Sequence, residues 1–411
     1  MRREIPGVSL KVISLFSGVG GLDFGFEAAG FETRVALDLD PVACATMRLN
    51  RNWPVLEGPI AEIPTNAILD TAGLQAGEAD VLIGGPPCQP FSKSGYWARG
   101  DASRLNDPRA DTLGQYLRVL EDTLPKAFLI ENVPGLVYRG KAEGIEAIHA
   151  GISAINKKAG TKYSFEFKVL NAADYGVPQM RERVFIVGSR DGKRFNFPNP
   201  THGEYGSGLE PFRTAWDAFA DLPRPADLET LKVQGKWADL LPSIPEGNNY
   251  LWHTERGGGQ PLFGWRRRYW NFLLKLAKNK PAWTIQAQPG PATGPFHWEN
   301  RRLSAHELCR LQTFPDFLRF DCTRADVQRL VGNAVPSALA EALALEITRQ
   351  FFARNIPRSS ASLRPSAQLQ VPAAATPAPV AAKFLHLLGS DSEHPGTGLG
   401  RSASNRAAAA A

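Results

Sequence analysis

The sequence predicts an α/β fold in which a largely parallel sheet, covered by helices on both faces, is joined to a second, smaller domain. Three observations lead there. From residue 11 to about 190, short apolar runs rich in β-branched and aromatic residues alternate with helical stretches, and Gly, Pro or Asp bound the runs. From about 191 to 297 the alternation stops, Pro and Gly become frequent, and six of the nine tryptophans appear, with a seventh, Trp298, at the border. Helical patterning then returns from Ser304 to about Arg354. The expected organisation is therefore a main domain of residues 1–190 completed by 298–354, a smaller domain of 191–297, and a tail of 355–411.

Composition bounds the function classes. The 411 residues suffice for two domains of roughly 100–200 residues each. Hydrophobic residues make up 43%, enough for real cores. No window reaches the ~18 consecutive apolar residues of a membrane span. Met1 to Pro6 is charged, so no signal peptide and no membrane partner are expected. Cys44, Cys88, Cys309 and Cys322 lack CxxC or CxxH spacing, which argues against a disulfide scaffold or a metal site. Free thiols fit a reducing cytoplasm. Lys plus Arg exceed Asp plus Glu by 47 − 41 = 6, which permits a nucleic-acid partner without requiring one.

Taken in order, the first strand, Lys11–Phe16, runs into Ser17-Gly18-Val19-Gly20-Gly21 and a helix. Such glycines let a backbone turn sharply against a ligand. The dinucleotide pattern G-x-G-x-x-G fails at Asp23, whose charge would oppose a pyrophosphate; a ligand without phosphates meets no such objection. The second strand, Thr33–Leu37, ends at Asp38, where an acidic residue would take ribose hydroxyls. The next, Asp80–Ile83, enters Gly84-Gly85-Pro86-Pro87-Cys88-Gln89-Pro90-Phe91-Ser92. Prolines on both sides stiffen the loop and fix the direction of the Cys88 sulfur. From these residues alone, a nucleophile and a structural thiol both remain open, since no neighbouring base is evident to activate the thiol. The strand Ala127–Ile130 delivers Glu131-Asn132-Val133, and Ser164–Leu170 and Arg183–Gly188 complete the set.

Beyond the sheet, residues 256–280 carry seven basic and no acidic side chains: Arg256, Arg266, Arg267, Arg268, Lys275, Lys278 and Lys280. Tyr269, Phe272, Leu273 and Leu276 fall at helical spacing and read as core, leaving the basic residues for phosphates. Gly257-Gly258-Gly259 would let backbone approach a partner closely. Ser304 and Glu307 have capping-box spacing. The tail is rich in Ala, Ser and Pro and is expected to stay disordered.

Six short motifs, in order, resemble the cytosine-5 DNA methyltransferase family of bacterial restriction-modification systems, from residue 11 to about 345. They are Phe16 to Gly21, Pro87-Cys88-Gln89, Glu131-Asn132-Val133, Gln179-Met180-Arg181-Glu182-Arg183, Arg302-Leu303 to Phe314-Pro315-Asp316, and Gly332-Asn333-Ala334-Val335-Pro336. The resemblance implies a Rossmann-like sheet binding S-adenosylmethionine, and a target-recognition domain over 191–297. It implies that Cys88 attacks C6 of a cytosine while Glu131 stabilises N3. Arg183 would contact the target base or Glu131, and Arg181 would position the Cys88 loop or a phosphate. Cofactor contacts would come from Phe16, Ser17, Gly18, Gly20, Gly21, Asp38, Leu39, Ile60, Pro87, Asn333 and Val335. One departure is Gly58-Pro59-Ile60, where the family often has Gly-Asp-Ile, so adenine recognition would fall to Ile60 backbone groups or apolar packing.

The implied substrate is double-stranded DNA with its target base flipped out. Gln89, Ser92, Lys93, Arg99, Arg256, Arg266, Arg267 and Arg268 are the expected DNA contacts, and Lys93–Asp111 is expected to form a loop that closes over DNA. A monomer in the bacterial cytoplasm is expected, with a cognate restriction endonuclease encoded nearby and no contact between the two. Two alternatives remain at this point: a cytosine-5 methyltransferase acting on tRNA, and a nucleotide-dependent oxidoreductase on a Rossmann sheet.

Overall fold

A computed structural model describes residues 9–87, 111–137, 143–265, 270–354, 356–357, 361–368 and 370–389. Strands β1 (Leu10–Leu15), β2 (Phe31–Asp38), β3 (Val55–Glu57), β4 (Val81–Gly84), β5 (Ala127–Asn132), β6 (Ser164–Asn171) and β8 (Glu182–Ser189) form one sheet in the order β3-β2-β1-β4-β5-β8-β6. Within it β8 runs against both of its neighbours, and the other pairs are parallel. Strand β7 (Gln179–Met180) pairs with β11 (Ala282–Trp283), and β9 (His202–Gly203) with β10 (Glu210–Pro211). Strand β3 is not among the expected strands, because three residues, none of them buried, carry no readable period.

The chain winds outward from β1 in one direction, then returns to β4 on its other side. This reversal is where open α/β sheets bind ligands. Leu15 is in register with Gly84, and Gly84 with Ile130. The turns after β1 and β4 and the end of β5 therefore stand side by side.

Helices cover both faces. Helices α1 (Gly21–Ala28), α2 (Pro41–Asn50), α3 (Thr65–Ala72), α4 (Asp111–Thr123) and α5 (Glu143–Ala159) follow the strands. Later come α6 (Ala215–Phe219), α7 (Ala305–Leu311), α8 (Arg324–Asn333) and α9 (Ser337–Phe351). Val12, Val81, Ile83 and Leu129 pack with α1 and α9 on one face. Ile13, Leu82, Phe128 and Ile130 pack with α3, α4 and α5 on the other. The α1–α9 contact is close because Gly25 has no side chain: a Cβ there would come within 2.4 Å of Ala340 Cβ. Arg324–Phe351 is long and apolar enough to pass for a membrane span, but 89% of its most apolar window is buried inside the fold.

Between β8 and α7 the chain is mostly irregular. It has its own core of Leu240, Leu241, Ile244, Tyr250, Leu262, Phe263, Leu273 and Phe296. Two expectations fail here. The apolar residues from Phe272 to Leu276 are not on a helix; isolated bridges join Phe272 to Thr293 and Lys275 to Phe296. Lys275 and Lys278 are not free for phosphates, because both are buried, Lys275 donating to the Ile244 carbonyl and Lys278 pairing with Glu246. Gly257, Gly258 and Gly259 wrap Trp252, whose ring lies 2.4 Å from where a Gly258 Cβ would stand, while Gly257 and Gly258 stay exposed.

The tail is the third correction. Residues 361–368 and 370–389 lie along the surface instead of remaining disordered, since local composition understates what they can bury. Glu341 of α9 accepts from Ser362 N at 2.7 Å and Leu363 N at 3.0 Å. Gln368 N donates to Asp217 at 2.6 Å, and Ala378 N to the Pro242 carbonyl at 3.0 Å. Near its end Phe384 stacks on Trp237, ring centroids 5.6 Å apart.

Candidate active site

The turn after β1 is built from backbone in unusual conformations. Phe16 has φ 53°, Gly18 φ 56° and Gly20 φ 83°. A Cβ on Gly18 would meet nothing within 4 Å, so the turn faces open space. Ser17 fastens the turn to β2: its N–H donates to the Leu37 carbonyl at 3.0 Å, and its hydroxyl accepts from Leu37 N at 3.2 Å. A Cβ on Gly21 would lie 2.4 Å from the Val335 carbonyl, so this glycine lets the segment before α9 close against α1.

Asp38 ends β2 beside the turn. One carboxylate oxygen accepts from Gly18 N at 2.7 Å and the other from Asp40 N at 2.8 Å. Burial raises its pKa, opposed by these donors. Each oxygen keeps a lone pair for a ligand hydroxyl. Leu39 follows, 64% exposed, an apolar surface at the mouth of the same turn. Among the Ile60 backbone groups expected to serve adenine, the carbonyl accepts from Arg118 Nη2 at 2.9 Å. Asn333 is exposed at the end of α8, and Val335 is buried.

Asp23 corrects another expectation. Its carboxyl does not face the turn's ligand side. It is fully buried and accepts from Ser14 Oγ at 3.0 Å and Thr33 Oγ1 at 3.3 Å. Burial raises its pKa to about 7.

Glu131 stands at the end of β5, buried. Arg183 Nε lies 2.9 Å from its Oε1. Burial pushes its pKa up, and it outweighs the opposing pull of Arg183 and Arg181. A Cβ on Gly85 would come within 2.9 Å of Glu131 Oε2, so glycine is what brings the turn after β4 onto the carboxyl group. Asn132 Nδ2 donates to the Pro86 carbonyl at 3.0 Å, and Thr112 Oγ1 to the Pro87 carbonyl at 3.1 Å. Two side chains thus pin the chain that leads to Cys88. Cys88, Gln89, Ser92, Lys93, Arg99, Arg266, Arg267 and Arg268 lie outside the described residues, as does the expected closing loop up to residue 110. Arg256 is exposed, its guanidinium 4.6 Å from the Trp265 ring.

The two arginines of the Gln179–Arg183 motif divide their work. Arg183 reaches Glu131. Arg181, expected to flank the pocket and hold the Cys88 loop or a phosphate, is 1% exposed and donates to the carbonyls of Gly332 at 2.8 Å and Ile285 at 3.3 Å. The strand breaks at Arg181, between β7 and β8, and this separates the two side chains. Gln179 Nε2 reaches Gln312 Oε1 at 2.9 Å, and Gln312 in turn donates to the Val331 carbonyl at 2.7 Å. Sequence reasoning misses Gln312, although it stands two residues before Phe314; a buried amide between apolar residues is the signal that could have found it.

Comparison with known proteins agrees with this geometry. The family described as C-5 cytosine-specific DNA methylase matches residues 10–349. The Type II methyltransferase M.SacI of Streptomyces achromogenes is 42% identical over 380 residues, covering 85% of this chain and 94% of its own. The Type II methyltransferase M.NgoFVII of Neisseria gonorrhoeae is 37% identical, over 79% and 83%. Among solved structures, a prophage-encoded E. coli protein superposes with TM-score 0.61 at 22% identity, covering 84% of this chain and 100% of that one. The S. pombe Dnmt2 methyltransferase superposes with TM-score 0.56 at 18% identity, over 82% and 98%. At these identities the two structures speak for the fold alone.

Proposed function

From the membership of this chain in the C-5 cytosine-specific DNA methylase family, which makes it a DNA cytosine-5 methyltransferase, we infer a mechanism in which Cys88 and Glu131 act on opposite sides of one cytosine ring. The observation that carries it is Glu131: a buried carboxyl with a raised pKa, held by Arg183 at 2.9 Å, against the turn that leads to Cys88. The oxidoreductase and tRNA readings give way to the family match.

The cytosine C5 carbon is a poor nucleophile. Addition of the Cys88 thiolate to C6 pushes electrons through the ring toward C5 and N3. A proton held by Glu131 at N3 takes up the developing negative charge, and burial is what keeps that proton available near neutral pH. Arg183 orients the carboxyl through its Oε1. Arg181 acts at a distance, tying the start of β8 to the segments carrying Ile285 and Gly332. After transfer, loss of the C5 proton expels the thiolate.

The open turn at Gly18, the lone pairs left on Asp38 and the apolar Leu39 beside them fit an adenosyl group. On this reading Phe16, Ser17, Gly18, Asp38, Leu39 and Val335 hold S-adenosylmethionine, which supplies a methyl group on a sulfonium when bound. The Type II relatives support sequence-specific modification alongside a cognate endonuclease, with residues 191–297 reading the target.

Denaturing gels test the assignment with duplexes carrying 5-fluorocytosine. The wild type, with S-adenosylmethionine, is expected to form a stable adduct and Cys88→Ala none; an adduct in the variant would overturn the role of Cys88. Glu131→Gln is expected to lower turnover by a factor on the order of 10²–10⁴ with cofactor affinity kept.

A further inference from the structure

Behind Arg181 lies a small pocket between the variable region and α8. Ile285, Pro289, Gly294, Arg302, Leu303 and Arg324 are among its lining residues. Ile285 is a shared wall, since its carbonyl accepts from Arg181. The space of about 10 Å³, partly open to solvent, admits a single oxygen atom and not a whole phosphate.

Two guanidinium groups meet at this pocket. Arg324 Nε donates to the Leu303 carbonyl at 2.9 Å, and its Nη2 to Gln328 Oε1 at 3.0 Å. Arg302 has one long contact, Nη2 to the Pro291 carbonyl at 3.4 Å. Neither side chain is paired with a carboxylate among the described residues. The acid in electrostatic range, Glu307, is already taken by Arg301, with contacts of 2.7 and 2.8 Å. Burial, and then the Arg302 charge, lower the Arg324 pKa to about 10, and burial lowers that of Arg302. Two part-buried cations thus face one cavity. An oxyanion bridging them would remove the repulsion and gain charge-assisted hydrogen bonds.

We propose that Arg302 and Arg324 form an oxyanion site that grips one backbone phosphate of the DNA substrate, inserting one of its oxygens into the pocket. Continuity favours DNA over a free anion. The lining segment follows β11, whose parallel partner β7 leads along the chain to Arg183, which contacts Glu131. A phosphate held here would be anchored on the segment that Arg181 ties to the start of β8.

The proposal rests on duplex DNA being the substrate, and methyl incorporation into DNA by the wild type, measured in parallel, tests that separately. The experiment is fluorescence anisotropy of the full chain on a labelled duplex over a range of salt concentrations. Arg302→Gln removes little else, because that side chain makes only the long Pro291 contact among the described residues. Its slope of log affinity against log salt should be shallower by about 0.9, one phosphate's worth. Arg302→Lys should restore the slope, and adding Arg324→Gln to Arg302→Gln should lower it no further, because the two side chains share one phosphate. An unchanged slope in Arg302→Gln overturns the proposal. If that variant instead loses binding of inorganic phosphate, followed by ³¹P NMR, while its DNA slope stays unchanged, the site serves a free anion and not DNA. A double variant that loses about twice the slope would mean two separate phosphates and overturn the shared site.

Discussion

Asp23 and Glu131 are both buried carboxyls whose burial raises the pKa, yet their neighbours give them different work. Glu131 has two cations beside it and faces the turn that leads to Cys88. Asp23 takes hydroxyl donors and faces the core. With a folded pKa of about 7 against an ordinary 3.8, Asp23 binds a proton in the folded chain that the unfolded chain has released. Its contribution to stability is therefore full below pH 3.8 and is lost as the pH rises toward 7. Asp23→Asn, which keeps the neutral shape, is expected to flatten this dependence and to be the more stable protein at pH 8. Thermal unfolding at pH 5 and pH 8 measures it, and parallel curves for the two proteins would contradict a buried, proton-binding Asp23.

Among the elements, α1 and α9 show how a sequence-distant helix comes to complete the cofactor end. Gly21 and Gly25 sit one turn apart on α1 and admit the Val335 carbonyl and the backbone of Ser337 and Glu341. Neither neighbour can yield, because both are backbone of packed segments. Gly25→Ala should overpack this contact and lower stability by about 1–3 kcal/mol in chemical denaturation. Retained stability would mean that α9 can slide away from α1 at little cost. The capping box at Ser304 and Glu307 forms as its spacing implies, and Arg301 closes it by pairing with the Glu307 carboxylate. That ion pair lies outside what S-x-x-E spacing encodes.

For the whole molecule, residues 361–368 and 370–389 reach from α9 on the sheet to the core of the variable region. It starts on the buried carboxylate of Glu341 and reaches Phe384, 3% exposed, stacked on Trp237. Between these ends, Gln368 N binds Asp217 of α6. The strap thus ties both parts of the protein together from outside. Truncating a buried Phe costs about 3–5 kcal/mol where the site cannot collapse. In Phe384→Ala that loss falls on the strap's far end, so trypsin should cleave at Lys383 much faster while the main thermal transition moves little. Equal cleavage rates would show that the Glu341 and Asp217 contacts hold the segment without Phe384.

Much of this architecture is legible in the amino-acid sequence. The strand–turn–helix at Phe16–Gly21, the placement of Glu131 at a strand end and the ordered motifs are local patterns, and local spacing reports local geometry. Choices among distant partners are not legible in the same way. Lys275 and Lys278 read as free cations, yet Ile244 and Glu246 stand beside them in the fold. The glycine triplet reads as an opening, but the Trp252 ring packed against it is not legible. The tail reads as disordered because its own apolar content is low, while the surface it covers lies far away in the chain. By itself the sequence determined which chemistry the chain carries, since that chemistry depends on residue types at short, ordered spacings. The tertiary structure alone decided which charges face the site and which are buried. Arg181 and Arg183 stand two residues apart, yet only the second touches Glu131, because burial and pairing are set by what the folded chain brings alongside.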